Sequence, residues 1–432
     1  MKMRPFELVL VTIFALLALG ALAMLALYKP ANKVEEAALG NSVVIWGTVP
    51  AAAFMAVLRP LTDAQPAYRV VQYIEKDART FDSEVLNALA ENRGPDIIFL
   101  PSEKLVQYRS KIQALPEASF PIRDFRNLYI DGAEIFALRD GIYAYPIAID
   151  PLVMYYNRDL MRTKNIINPP RTWEELMGQI NTLVERDYSR NIIRSPLAFG
   201  EYRNVQNGFG VLSMLLLQGG SSLVTEDDGQ YKLQLNQTAS DGGVPMERAL
   251  TFYTNFASPV NPLYSWNRAL PLDHDAFLAE NLVLYFGKGS EATSLSIQNP
   301  NLNFDVAEVP QGAQATVRRT YASFYGLALL KSSTNKNGAL TVMQLLGSAD
   351  KSKVIADALH MAPAHRSTLN SGSDDRYGRI AYAAANVASA WLAPSPDKTD
   401  QIFRAMVEDV LANKRAPADS TRDAIEKLSE VY

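Results

Sequence analysis

The sequence predicts an α/β protein of two lobes, preceded by an apolar amino-terminal segment. Three observations predict it. A chain of 432 residues is more than one hydrophobic core organises and divides into two lobes of ordinary domain size. Strand-like and helix-like runs alternate from Val43 to Phe99, the pattern of a parallel, doubly wound sheet. Finally, Gly141 to Leu176 reads as a buried crossing strand followed by a capped helix. Its apolar run, Ile142 to Ile149, is too short for a helix and is broken once, by Pro146.

Bulk properties exclude several classes. The net charge is −4 and no basic run exists, so nothing favours nucleic acid. The chain has no cysteine, which removes disulfides, thiolate metal sites, a cysteine nucleophile and a lipoprotein anchor. Its three histidines are too few and too scattered for a metal cluster: His360 and His365 are separated by Pro363, and His274 sits between two aspartates.

The amino terminus opens with Leu8 to Tyr28, about 21 residues without charge. At about 1.5 Å per residue it spans roughly 30 Å, the thickness of a bilayer core. Lys2 and Arg4 precede it and favour an inside amino terminus. Residues 1–30 therefore read as a single transmembrane anchor. A cleaved signal peptide is the rival, with Ala21-Leu22-Ala23 loosely like a cleavage site. Either reading exports the rest of the chain, after a polar linker over 31–40.

In order, Val43–Trp46 is a compact strand ending at Gly47-Thr48, and Ala51–Ala64 a helix with Phe54, Val57, Leu58 and Leu61 on one face. Tyr68–Ile74 is β-rich, Phe81–Asn92 helical, and Gly94–Phe99 a third strand. Ligands of such sheets sit at the carboxyl ends of the strands. After the crossing run, Leu152–Tyr156 favours a strand and Asn157-Arg158-Asp159 a turn. Pro169-Pro170 forbids helix before Thr172, which forms a capping box with Glu175. Trp173–Arg186 is an amphipathic helix, and Asn207–Gln218 an apolar one stopped by Gly219-Gly220. Asp241-Gly242-Gly243 is a loop before a helix over Met246–Phe256. Asp275 reads as the N-cap of a short helix through Ala279. Strands follow at Leu282–Phe286, Phe304–Val309 and Tyr321–Leu330, then a helix at Ala339–Leu346. The remainder is helical, with loops at Ser371–Ser373 and Pro394–Pro396.

Several of these segments carry a resemblance. GPDIIF (Gly94–Phe99), YPIAID (Tyr145–Asp150), AFLAENLVLYFG (Ala276–Gly287), the strand Phe304–Pro310 and YGLALLKSSTNKNGAL from Tyr325 stand in a specific order and spacing. Together they resemble extracellular solute-binding proteins of ABC transporters, family 1, the maltose- and sugar-binding type. The resemblance implies a bilobal periplasmic-binding-protein-like fold (type II), whose lobes close on ligand around a hinge. Lobe I would comprise 41–149 and 311–347, and lobe II 150–310 and 348–432. It further implies a membrane-tethered, extracytoplasmic monomer that captures a sugar or oligosaccharide for import through ABC permease subunits. No enzyme activity and no cofactor are implied. The chain departs from the maltose-binding pattern after GPDIIF, where Leu100-Pro101-Ser102-Glu103 replaces a tryptophan and a charged pair. It departs again after the first strand, at Gly47-Thr48-Val49-Pro50.

Sugar recognition needs flat aromatic faces and short polar groups. Strand ends offer Thr48, Asp77 and Ser102, each with a rival reading as a loop or capping residue. Tyr145 and Asp150 flank the crossing, where the alternative is hinge structure, and Tyr155 and Tyr156 point to opposite faces. Trp266 lies on a loop. Lys288 and Gly289, in the Gly287–Ser290 loop, match the position of the family's aromatic-bearing ligand loop. On the return strand Tyr325 is favoured over Ser323 and Phe324; Trp391 resembles a stacking tryptophan, with core packing as its rival. Two other functions compete: a sensor using the same fold, and a cleft glycosidase, for which Asp77 and Asp150 are the only imaginable carboxylate pair.

Overall fold

One continuous sheet of eleven strands runs through both lobes. The computed structural model describes residues 39–432 apart from 119, 221–222, 228 and 239–241. The apolar segment Leu8–Tyr28, most of the linker over 31–40, and Asp241 lie outside the described residues. Among the described residues no helix is long and apolar enough to cross a membrane.

The first lobe is built as its alternating pattern requires. Val43–Gly47 lies between Val71–Glu75 and Ile97–Pro101, parallel to both, and the helix Ala51–Ala64 buries Phe54, Val57 and Leu58 on the sheet. The two apolar runs of the crossing are one strand, Tyr145–Asn157, thirteen residues long and buried almost throughout. Pro146 falls opposite Gly326, next to a register shift between Tyr325 and Gly326. There the ladder is already interrupted, so the missing N–H of proline costs little. The return strand Thr320–Leu329 runs antiparallel to both Ile97–Pro101 and the crossing strand, tying the two lobes together.

Two core regions follow from this layout. One collects Val43 to Ile149 with Phe324, Leu327 and Leu346. The other collects residues from Leu152 to Tyr321 with Trp391, Phe403 and Leu428, extended by a smaller cluster around Tyr155 and Tyr285. Residues 349–369, which the sequence reading places in lobe II, pack in the first region instead: Ile355, Leu359 and Leu369 are buried there, and Ala362 and Pro363 pair with Ile149 and Ala148. An amphipathic helix reads alike whichever core it covers, so its pattern could not place it.

Some local readings also shift. Asn157 does not close a turn. Its side chain accepts from Leu160 N at 2.9 Å and caps a helix, Arg158–Thr163. The same short amide serves turns and caps alike. Asp275 is not the N-cap; the helix runs Asp273–Leu278. Thr172 does cap Trp173–Leu183, accepting from Glu175 N at 3.1 Å, while Glu175 reaches back to Arg171 N at 2.7 Å.

Candidate ligand-binding cleft

The two crossing strands form the floor of the site. On the return strand alternation puts Tyr321, Ser323 and Tyr325 on one face and Ala322 and Phe324 on the other. Ser323 lies opposite Asp150 of the crossing strand, so both belong to the same face.

From the first lobe, Ile97–Pro101 delivers Ser102 and Glu103 to this face. Ser102 is buried; its hydroxyl accepts from Phe324 N at 3.2 Å and bonds Glu103 Oε2 at 3.1 Å. Glu103 also accepts from the Tyr321 hydroxyl at 2.6 Å and from the Ser323 hydroxyl. From the second lobe, the strand Leu282–Lys288 delivers Lys288, whose Nζ donates to Ser323 Oγ at 3.0 Å.

The loop bearing Lys288 is fixed on several sides. Tyr155 donates to Lys288 O at 2.6 Å and to Gly289 O at 3.2 Å. Gly289 N donates to Pro151 O at 2.8 Å. Asp150 accepts from Ser290 N at 3.0 Å and from Ser290 Oγ at 2.7 Å. Glu291 takes Lys288 N at 2.7 Å, Asn207 Nδ2 at 3.3 Å and the Tyr285 hydroxyl. A Cβ at Gly287 would stand 2.5 Å from the Tyr285 ring, so only glycine fits beneath the loop.

One lysine thus sits among three carboxylates. Burial opposes the charge on Lys288, yet Tyr325, Asp150, Glu103 and Glu291 outweigh it and raise the ammonium pKa. Burial raises the pKa of Asp150 despite Lys288 and the bonds from Ser290. Burial, then the neighbouring Glu103, pushes the Tyr321 phenol far up, so that hydroxyl stays a donor. The face therefore presents charged and hydroxyl groups of fixed direction, suited to a solute rich in donors and acceptors. Among the described residues no group of His, Asp and Glu could hold a metal ion.

Of the residues singled out from sequence, Ser102, Asp150, Lys288, Gly289 and Tyr325 come together at this face, and Tyr155 reaches the backbone of the Lys288 loop from the other side of the crossing strand. Within the group, Tyr155 and Asp150 hold the loop, and Tyr325 stacks on Phe99 at 5.6 Å. Thr48 lies half-buried at the end of its strand. Asp77 is exposed and engaged with Arg79 at 2.6 Å. Tyr145 stacks on Phe120 at 4.9 Å in the first core. Trp266 is buried with Nε1 on Asn204 Oδ1 at 3.1 Å, and Trp391 with Nε1 on Ser213 Oγ at 3.0 Å. Asp77 and Asp150 therefore do not form a facing pair: one is on the surface, the other locked on Ser290. Sequence reading left out Glu103, Tyr321 and Glu291. Glu103 directly follows Ser102, and stepping by two along the strand from Tyr325 reaches Tyr321.

Two lobes bridged by crossing strands, with polar groups of both converging between them, define a binding protein. The chain matches the pattern of the bacterial extracellular solute-binding protein family over residues 70–353 and belongs to that family. It is similar to putative binding proteins of Brucella abortus and Brucella suis, 24% identical over 264 residues. That match spans 59% of this chain and only 59% of the length of those relatives. Solved structures share the fold, that of the type II bilobal binding proteins. A cyclo/maltodextrin-binding protein complexed with maltotetraose superposes with a TM-score of 0.72 at 15% identity, covering 92% of this chain and 98% of its own. The sugar-binding protein MalE of Xanthomonas citri gives 0.71 at 16%, covering 90% and 97%. A solute-binding protein of Thermotoga lettingae bound with α-D-tagatose gives 0.68 at 18%, covering 91% and 100%.

Proposed function

We propose that the chain captures a sugar or oligosaccharide between its lobes, as a membrane-tethered monomer outside the cytoplasm, and delivers it to ABC permease subunits. The observation that carries this reading is the junction at Ser323, where Glu103 of one lobe and Lys288 of the other meet on a single hydroxyl. Carboxylate, ammonium and hydroxyls held in fixed directions can replace the hydrogen bonds a sugar hydroxyl loses on leaving water. Sugars held by solved proteins of the same fold support the choice of solute. In this reading Glu103, Lys288 and Tyr325 face the solute, Ser102 and Ser323 hold them from beneath, Asp150, Tyr155 and Gly289 shape the loop, and Thr48 stands at the rim. The segment Leu8–Tyr28 is the anchor.

The test is a melting-temperature screen of the full chain against mono- and oligosaccharides, since a ligand of the folded state raises the midpoint by mass action. A saturable rise that Glu103→Gln diminishes is expected. No shift with any sugar would reject the reading.

A further inference from the structure

A separate cavity lies behind the crossing strands. On the face opposite Tyr321, Ser323 and Tyr325, the Phe324 ring meets Gly132, where an added Cβ would stand 2.4 Å from it. Here a cavity of about 560 Å³ opens between Asp131, Ile135 and Leu138 of the first lobe and Leu217, Leu223 and Trp391 of the second. Ile135, Leu138, Leu217, Leu223 and Trp391 give it apolar walls.

Most charges on its lining are already matched. Asp131 pairs with Arg366 at 2.5 Å, Glu134 with Arg126 at 3.1 Å, Glu226 with Arg109 at 3.1 Å, and Arg139 with Asp227. Arg319 differs. Its backbone is held on both sides: N donates to Gln311 Oε1 at 3.0 Å, and O accepts from Gln218 at 3.0 Å and Gln311 at 3.1 Å. Among the described residues its guanidinium has no hydrogen-bond or ion-pair partner. A cation mounted on a fixed backbone beside an apolar wall is complementary to a molecule with one anionic group and an apolar body. The volume is that of an ordinary small-molecule site.

We propose that this rear cavity binds a small amphipathic monocarboxylate, its carboxylate on Arg319 and its apolar part against Leu217, Leu223 and Trp391. The site is independent of the sugar reading of the cleft, because Lys288 lies on the opposite face.

Titration calorimetry of the full chain with phenylacetate and octanoate, against the neutral phenylacetamide and octanamide, tests this. Both acids should bind, the amides roughly tenfold or more weaker. Arg319→Gln should weaken the acids by a similar factor, and Arg79→Gln, at an exposed arginine of the first lobe, should leave them unchanged. Leu138→Trp fills the cavity from a half-buried position and should also abolish binding, which decides the matter even if Arg319→Gln fails to fold. The proposal is overturned if neither acid binds, if acid and amide bind alike, or if Arg319→Gln binds the acids as tightly as the wild type.

Discussion

Lys288 and Glu103, one from each lobe, share the hydroxyl of Ser323, which accepts from the ammonium at 3.0 Å and donates to the carboxylate. Ser323 is only 1% exposed, so water cannot replace its hydroxyl. Ser323→Ala should leave both charges one partner short and lower unfolding free energy by about 1–3 kcal/mol. Solute affinity should fall with it. Denaturant melts and calorimetry read the two effects; a variant as stable as the wild type would show that the shared hydroxyl is not part of the lobes' junction.

Tyr155 was a contact candidate on sequence grounds, but its hydroxyl ends on Lys288 O and Gly289 O and its ring is fully buried. Tyr155→Phe preserves the ring packing and removes only the loop's anchor. It should cost about 1 kcal/mol of stability and speed solute release through a looser Lys288. A release rate unchanged from wild type would mean that the remaining bonds to Asp150 and Glu291 suffice to hold the loop.

These two residues show what sequence could and could not disclose. The crossing was legible because two apolar runs, Ile142–Ile149 broken only by Pro146 and Leu152–Tyr156, are each too short for a helix and stand almost end to end. The strand-end loops at Ser102 and Lys288 were legible because ligands of α/β sheets gather there. Which polar group faces the cleft was not, since that depends on register. Tyr325 and Tyr321 are equivalent by alternation, yet only pairing with Asp150 fixes the face. Trp266 and Trp391 misled for a related reason: each indole N–H finds a buried partner, Asn204 or Ser213, that local sequence does not reveal.

The hairpin formed by Val224–Asp227 and Gln230–Leu233 reaches the first lobe through Arg109. That guanidinium donates to Tyr231 at 2.9 Å and Glu226 at 3.1 Å on the hairpin, and to Tyr143 at 3.2 Å with Asp140 at 3.0 Å on its own lobe. The side chains of Arg109 and Glu226 are 14% and 6% exposed, so removing one leaves a poorly solvated charge behind. Arg109→Ala should destabilise the protein by about 3–5 kcal/mol. Arg79→Ala, which breaks the solvent-exposed pair with Asp77, should change nothing measurable. Equal melting curves for the two variants would contradict the difference in burial.

Asp273 supplies a pH dependence of unusual sign. Burial lifts its carboxyl to about 7, against the opposing bonds from Gln206 N and His274 N, with Glu291 adding to the rise. Between about pH 4 and about pH 7 the folded chain therefore holds a proton that the unfolded chain has released. Its contribution to unfolding free energy falls as pH rises through that window and levels off above it. Asp273→Asn keeps an acceptor oxygen for both backbone N–H groups and removes the charge. The stability of wild type relative to Asp273→Asn should decline from acid to neutral pH, by on the order of a few kcal/mol. Denaturant melts of both proteins at matched pH values measure that difference directly, with the carboxylates common to both cancelling. A difference that stays flat across the window would place Asp273 in a wetter environment than its 2% exposure describes.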